Sequence, residues 1–336
     1  MRTLLMLMAA AFLSWAPAAN AQTAEQAEYA LRQVGAWSGR NAEFGARLVA
    51  LYQSADELDA VYDLADESKG SADAIAAVDA WRARYATQLA QLRVDIAAAP
   101  PPPRIESVMG ANMQRMLDEM ASRVMLEIDQ AQAFGDAMAN LTLAVLRGEL
   151  DRESSVMQRS MAMMRELLQF ENESWRIVTA LSPPGHPNQN LARAHIAMNE
   201  GMIVLASVIV ESAFADSLVI TAEQRRDVQA AIGAMRTQVR EGRASIARTR
   251  SELSFSSLGL SQDVRDAAAR LFVSLEESMT SLSAAADVME RLIGLPASAK
   301  YAQVDAALAE LVTIADELAM QQVYRGQQLA LPTPTL

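Results

Sequence analysis

Along nearly the whole chain, apolar residues recur at steps of three and four, and no stretch shows the two-residue alternation of a strand. The clearest run is Val34, Trp37, Asn41, Phe44, Leu48, Leu51, Ala55, Leu58, Tyr62 and Ala65. An average period of 3.5 specifies a left-handed coiled-coil seam. Asn41 inside that seam is a candidate for fixing register or partner number, at some cost in stability. Beyond a turn at Glu67-Ser68-Lys69-Gly70-Ser71, the spacing resumes through Ile75, Val78, Tyr85, Leu89, Leu92 and Ile96. Residues 22–99 are therefore expected to form an antiparallel, coiled-coil-like hairpin. Two helices alone bury too little surface to be secure, so the hairpin should dock on the rest of the chain or on a second copy.

Pro100 to Pro103 cannot continue a helix, because each proline lacks an N–H and restricts the residue before it. Residues 100–103 are expected to be a polyproline spacer. Composition changes across it. Residues 22–99 hold seven aromatics and no methionine, whereas residues 104–336 hold sixteen methionines and eight aromatics. Residues 104–330 are predicted to form a six-helix bundle with short antiparallel connections. The first and longest helix should run from about Ile105 to Arg147, ended by Gly148. The second reaches Leu181, where Ser182-Pro183-Pro184-Gly185-His186-Pro187 makes a loop that leaves His186 exposed. Asn188 or Asn190 should cap the third, which is apolar on nearly all sides from Met198 to Val210 and so belongs at the centre. Thr221 and Gln224 have the spacing of a capping box before the fourth. Gly294-Leu295-Pro296 separates the last two, and residues 331–336 are a loose tail. The fold class is all-α.

Arg2, the apolar run Leu4 to Trp15 and the Ala19-Asn20-Ala21 site before Gln22 have the form of a secretory signal peptide over residues 1–21. Its loss takes the formal charge from −12 to −13, a balance that argues against nucleic-acid binding. The chain has no cysteine, which rules out disulfides, thiolate metal sites and haem attachment through C-x-x-C-H. Two histidines leave little room for imidazole metal sites. After the leader, the longest apolar run is Gly201 to Val210, too short for a bilayer, so no transmembrane segment is expected in the mature chain. The expected location is the periplasm, with full secretion as the alternative.

Three constellations are candidate sites. Met109, Met113, Met116 and Met120 step along one helix face, and Met157, Met161, Met163 and Met164 group on the next. Thioethers fill irregular cores, line adaptable binding grooves and ligate soft metals. Arg225, Arg236, Arg240, Arg243 and Arg250 share one helix face, a candidate surface for a small anion or an acidic partner. The bland alternative is pairing within the chain, with Glu200 and Glu211 of the preceding helix within reach. Folding about Gly185 sets Glu171 level with Glu200 and His195 near Arg176, a set able to serve acid–base or metal chemistry. The Glu-x-x-His pairs of di-iron bundles are absent.

Ile220 to Arg226 resembles, over one helix start, the L-T-x-x-Q motif of small periplasmic stress chaperones. Gln114-Arg115-Met116-Leu117 resembles the Q-R-M-L core of nitrate-sensing and pilus chemoreceptor input domains, which are four-helix bundles. Neither match is long enough to assign a family. The reading from sequence is an exported, soluble interaction protein acting through helix faces, without catalysis or cofactor. It self-associates or binds a protein partner. A ligand-sensing bundle holding an anion at the arginine stripe is the alternative, and a metal-binding bundle is third.

Overall fold

Glycine or proline stands at several of the helix ends, as their backbone preferences favour. The computed structural model describes residues 24–58, 60–61, 71–149, 152–252 and 261–328. Helix α1 covers Ala24–Gln53 and runs into a 3-10 turn, Ser54–Asp56. Then come α2 (Ser71–Ala98), a one-turn α3 (Glu106–Met109), α4 (Ala111–Leu146), α5 (Arg152–Leu181) and α6 (Pro187–Ala215). Helices α7 (Ala222–Glu252), α8 (Gln262–Gly294) and α9 (Tyr301–Gln328) complete the set. The fold is all-α, with no strand among the described residues. The signal peptide, the turn at 67–70 and the tail at 331–336 lie outside the described residues, except that Ser71 already opens α2.

Two boundaries differ from those read in the sequence. The helix expected to run on from Ile105 is broken at Gly110, whose φ of 90° suits glycine alone. Gln114 Oε1 accepts from the Ile105 N–H at 2.7 Å and fixes this corner behind the prolines. Helix α6 is capped by His186, not by Asn188 or Asn190. His186 Nδ1 accepts from the Asn188 N–H at 3.3 Å, and Pro187 takes the first helical position. His186 is half-buried rather than exposed. The predicted capping box is formed in full: Thr221 Oγ1 accepts from the Gln224 N–H at 3.1 Å, and Gln224 Oε1 from the Thr221 N–H at 2.8 Å.

From α5 to α9, each helix packs on the next. Helix α6 also touches α8 and α9, which makes it the central element. By length and composition it could cross a membrane, yet its apolar surface is engaged with these four helices. At one end, the Leu218 N–H donates to Ala299 O at 3.1 Å and ties the α6–α7 turn to the α8–α9 turn.

The two N-terminal helices dock in cis. They touch each other less than they touch the rest: α2 lies along α4, and α1 lies along α9. The first half of α1 gives Leu31, Val34 and Trp37 to a large core shared with α4 through α9. Its second half gives Leu48 and Leu51, and the segment after the 3-10 turn gives Leu58, to a smaller core with Val78, Trp81 and Tyr85 of α2 and Ile128, Ala131 and Leu143 of α4. Core composition therefore changes partway along α1, between Ala42 and Leu48, and partway along α4, between Val124 and Ile128.

Candidate functional site

The arginine stripe on α7 is turned towards α8. Arg236 Nη2 sits 2.6 Å from Asp287 and 2.7 Å from Glu290, and the hydrogen bonds to Glu290 and then Asp287 push its guanidinium further up in pKa. Arg243 donates to Thr280 Oγ1 at 3.2 Å. Arg250 lies 3.4 Å from Glu276 and 5.5 Å from the Phe272 ring centroid. Arg240 is exposed and Arg225 half-buried. The acids that meet the stripe belong to the following helix, not to Glu200 and Glu211 of the preceding one.

Met113, Met116 and Met120 of the predicted stripe are interior, so these three line no open groove. Met113, Met116 and Met120 are 5%, 1% and 0% exposed in the large core, because α4 turns this face onto α1 and the bundle. The Met109 side chain lies outside the described residues. Asn41 is also buried, and its Nδ2 donates to the Trp37 carbonyl one turn back at 2.8 Å.

The Glu171 and His195 constellation takes a different form from the one read in sequence. Asn199, not Glu200, meets Glu171, donating to Glu171 Oε2 at 3.1 Å and to Asn172 Oδ1 at 3.0 Å. His195 is buried and stacked on Trp175, ring centroids 4.3 Å apart and 11° from parallel. From α4, Arg123 lies 5.0 Å from the Phe170 ring centroid and 3.6 Å from Glu173. The result is a polar layer across α4, α5 and α6. These contacts run between helices, Asn199 and His195 of α6 with α5 and Arg123 of α4 with α5. Among the described residues, no three His, Asp or Glu side chains converge as metal ligands.

A second buried polar group joins α8 to α9. Arg325, fully buried, donates from Nε to Ser274 Oγ at 2.9 Å and from Nη2 to the Ser274 carbonyl at 3.0 Å and to Ser278 Oγ. Burial pushes this guanidinium down to about 9. The charged form persists at neutral pH and is held by these oxygens.

What the sequence reading passed over is the contrast within α5. Five residues between 172 and 182 are buried: Asn172, Ser174, Trp175, Val178 and Ser182. None is buried from 157 to 171, although that segment carries Met157, Met161, Met163, Met164, Leu167, Leu168 and Phe170. Met161 and Leu168 lean on the large core. Met163 lines an open groove of about 330 Å³ with Ala162 and Arg159 of α5 and with Ala137, Asn140 and Leu141 of α4. Composition flags the methionines, but only the packing separates the half-covered group from the buried one. Comparison with protein-family models, curated proteins and solved structures finds no match for this chain.

Proposed function

We propose that this chain is an exported, non-enzymatic interaction protein that works through a helix face. The observation that supports this reading is the half-covered apolar segment 157–171 beside the Met163 groove. Methionine surfaces of this kind adapt their shape to apolar partners. The fitting partner is the apolar side of a helix from another protein, laid along α5 with Arg159 and Glu166 at the groove edge. Export rests on Arg2, the apolar run and Ala19-Asn20-Ala21. A photo-crosslinking residue at position 163 of the full chain tests the face: a discrete adduct should form in cells and vanish with Leu167→Glu. No adduct from a strictly monomeric protein would sink the reading. The mass of the purified protein tests export, since cleavage leaves Gln22 as the first residue.

A further inference from the structure

We propose that the first half of α5 is an oxidation-controlled hinge, with Met161, Met163 and Met164 as the modified residues. With no cysteine in the chain, the thioether is its only sulfur for a two-electron oxidant to meet. The oxidant class meant here is a peroxide, with hydrogen peroxide as the simplest member. The thioether lone pair attacks one peroxide oxygen and forms the S–O bond as the O–O bond breaks. Sulfur loses two electrons, the proton on the transferred oxygen passes to the departing hydroxide, and the products are the sulfoxide and water.

Two observations select these three residues. They are half-exposed, as Met125, Met138 and Met157 are, whereas Met113, Met116, Met120, Met279 and Met289 are 5% exposed or less. Met161 and Met163 also do the holding, on the large core and in the α4 groove, and Met164 stands beside them: from 157 to 171 no residue is buried, so the attachment of α5 rests on such half-covered side chains, Leu168 and the Arg123–Phe170 contact. A sulfoxide is polar and larger than the thioether, and against the large core or the α4 groove it removes that attachment. The second half of α5 stays fixed through Trp175, Val178 and the Asn172–Asn199 bond. Oxidation therefore releases 157–170 and leaves 172–181 in place. This hinge needs no bound partner, so it can fail while the binding function survives, and the reverse.

The test treats the full-length protein with dilute hydrogen peroxide and follows each methionine by peptide mass spectrometry, with amide hydrogen exchange on the same samples. Sulfoxide at Met161, Met163 and Met164 should form about tenfold faster than at Met116 or Met120. Exchange over 157–170 should then rise about tenfold, with 172–181 unchanged. Met320, 46% exposed on α9, is the internal control: it should oxidise as fast without changing exchange around it. Met161→Leu/Met163→Leu/Met164→Leu should keep the fold and lose the response. Reduction of the oxidised wild type by methionine sulfoxide reductases for both epimers should restore protection, a readout that does not depend on the variant folding. Core methionines oxidising at the same rate, exchange rising throughout the chain, or exchange staying flat over 157–170 would each overturn the proposal.

Discussion

The two cores are filled by different side chains, and they should respond differently to the same disturbance. The smaller core is built on rings. Trp81 and Tyr85 lie 5.0 Å apart between centroids, as do Tyr52 and Phe134 at its edge, and Trp81 Nε1 donates to the Ser54 carbonyl at 2.8 Å. The larger core is built on thioethers, with Met113, Met116, Met120, Met198, Met202, Met235, Met279 and Met289 all inside it. Each brings helices close enough that a glycine sits at the contact. A Cβ at Gly135 would strike the Tyr85 ring, whose hydroxyl is held 2.8 Å from the Ala131 carbonyl, and one at Gly242 would strike the end of Met279. A ring pinned by a hydrogen bond cannot yield. A thioether with three rotatable bonds can.

The largest effect expected from this contrast is that of Trp81→Ala, which should cost about 3–5 kcal/mol because its ring neighbours cannot flow into the hole. Urea unfolding gives the figure, and a loss below about 2 kcal/mol would mean that the aromatic core repacks after all. Next come the glycines. Gly135→Ala should cost about 1–3 kcal/mol through overpacking. Gly242→Ala should stay within about 1 kcal/mol of the parent, since the gain in helix propensity offsets a small shift of Met279. Equal losses would erase the distinction between the two cores. Met279→Leu, a change of shape at constant volume, should cost less than about 1.5 kcal/mol.

The smallest effect concerns the clasp that joins α1 to the start of α8. Arg32 Nη2 lies 2.7 Å from both Glu28 and Asp263, and the Ser261 N–H donates to Glu28 Oε2 at 2.9 Å. Burial opposes the ionised form of Glu28, but hydrogen bonds from Ser261 and Arg32 outweigh it and lower its pKa. Ser261, then Arg32, lowers Asp263 in the same way. Both carboxyls thus bind protons less readily folded than unfolded. Their contribution is complete above a pH of 4.5, the ordinary value for Glu28, and is lost as pH falls through the depressed folded values. Arg32→Ala should remove about 1 kcal/mol at pH 6 and flatten the decline below about pH 4.5 in urea midpoints. An unchanged acid slope would show that the clasp does not hold α1.

Much of the local structure is legible in residue order, because caps, breaks and periodicity act over a few positions. Gly148, the Pro183–Pro187 loop, the Thr221–Gln224 box and Gly294 all mark helix ends in the folded chain. Trp81 is three residues after Val78 and four before Tyr85, so spacing alone puts it on the seam of α2, and it is 2% exposed. The misses have specific causes. Gly110 sits inside an apolar period that runs on past it, so spacing conceals the corner. Arg236 has an antiparallel neighbour on each side, and helical spacing does not say that Asp287 and Glu290 would win over Glu200. The half-covered state of Met161, Met163 and Met164 depends on where α4 and α6 pass, which no property of α5 encodes.

The path of α1 through both cores bears on how the chain folds. Helix α1 is the first described helix to be synthesised, and it lies along α9, the last. Those contacts span nearly the whole sequence, so closing them carries the loop entropy that slows folding. Until α9 exists, the face carrying Leu31, Val34 and Trp37 lacks one of its walls, and an apolar helix end stays available to aggregation or to a holding chaperone. The second half of α1 can settle earlier, on α2 and α4. Folding should therefore begin in the small aromatic core and finish at the α1–α9 contact, making the first described helix the last of them to be fully covered.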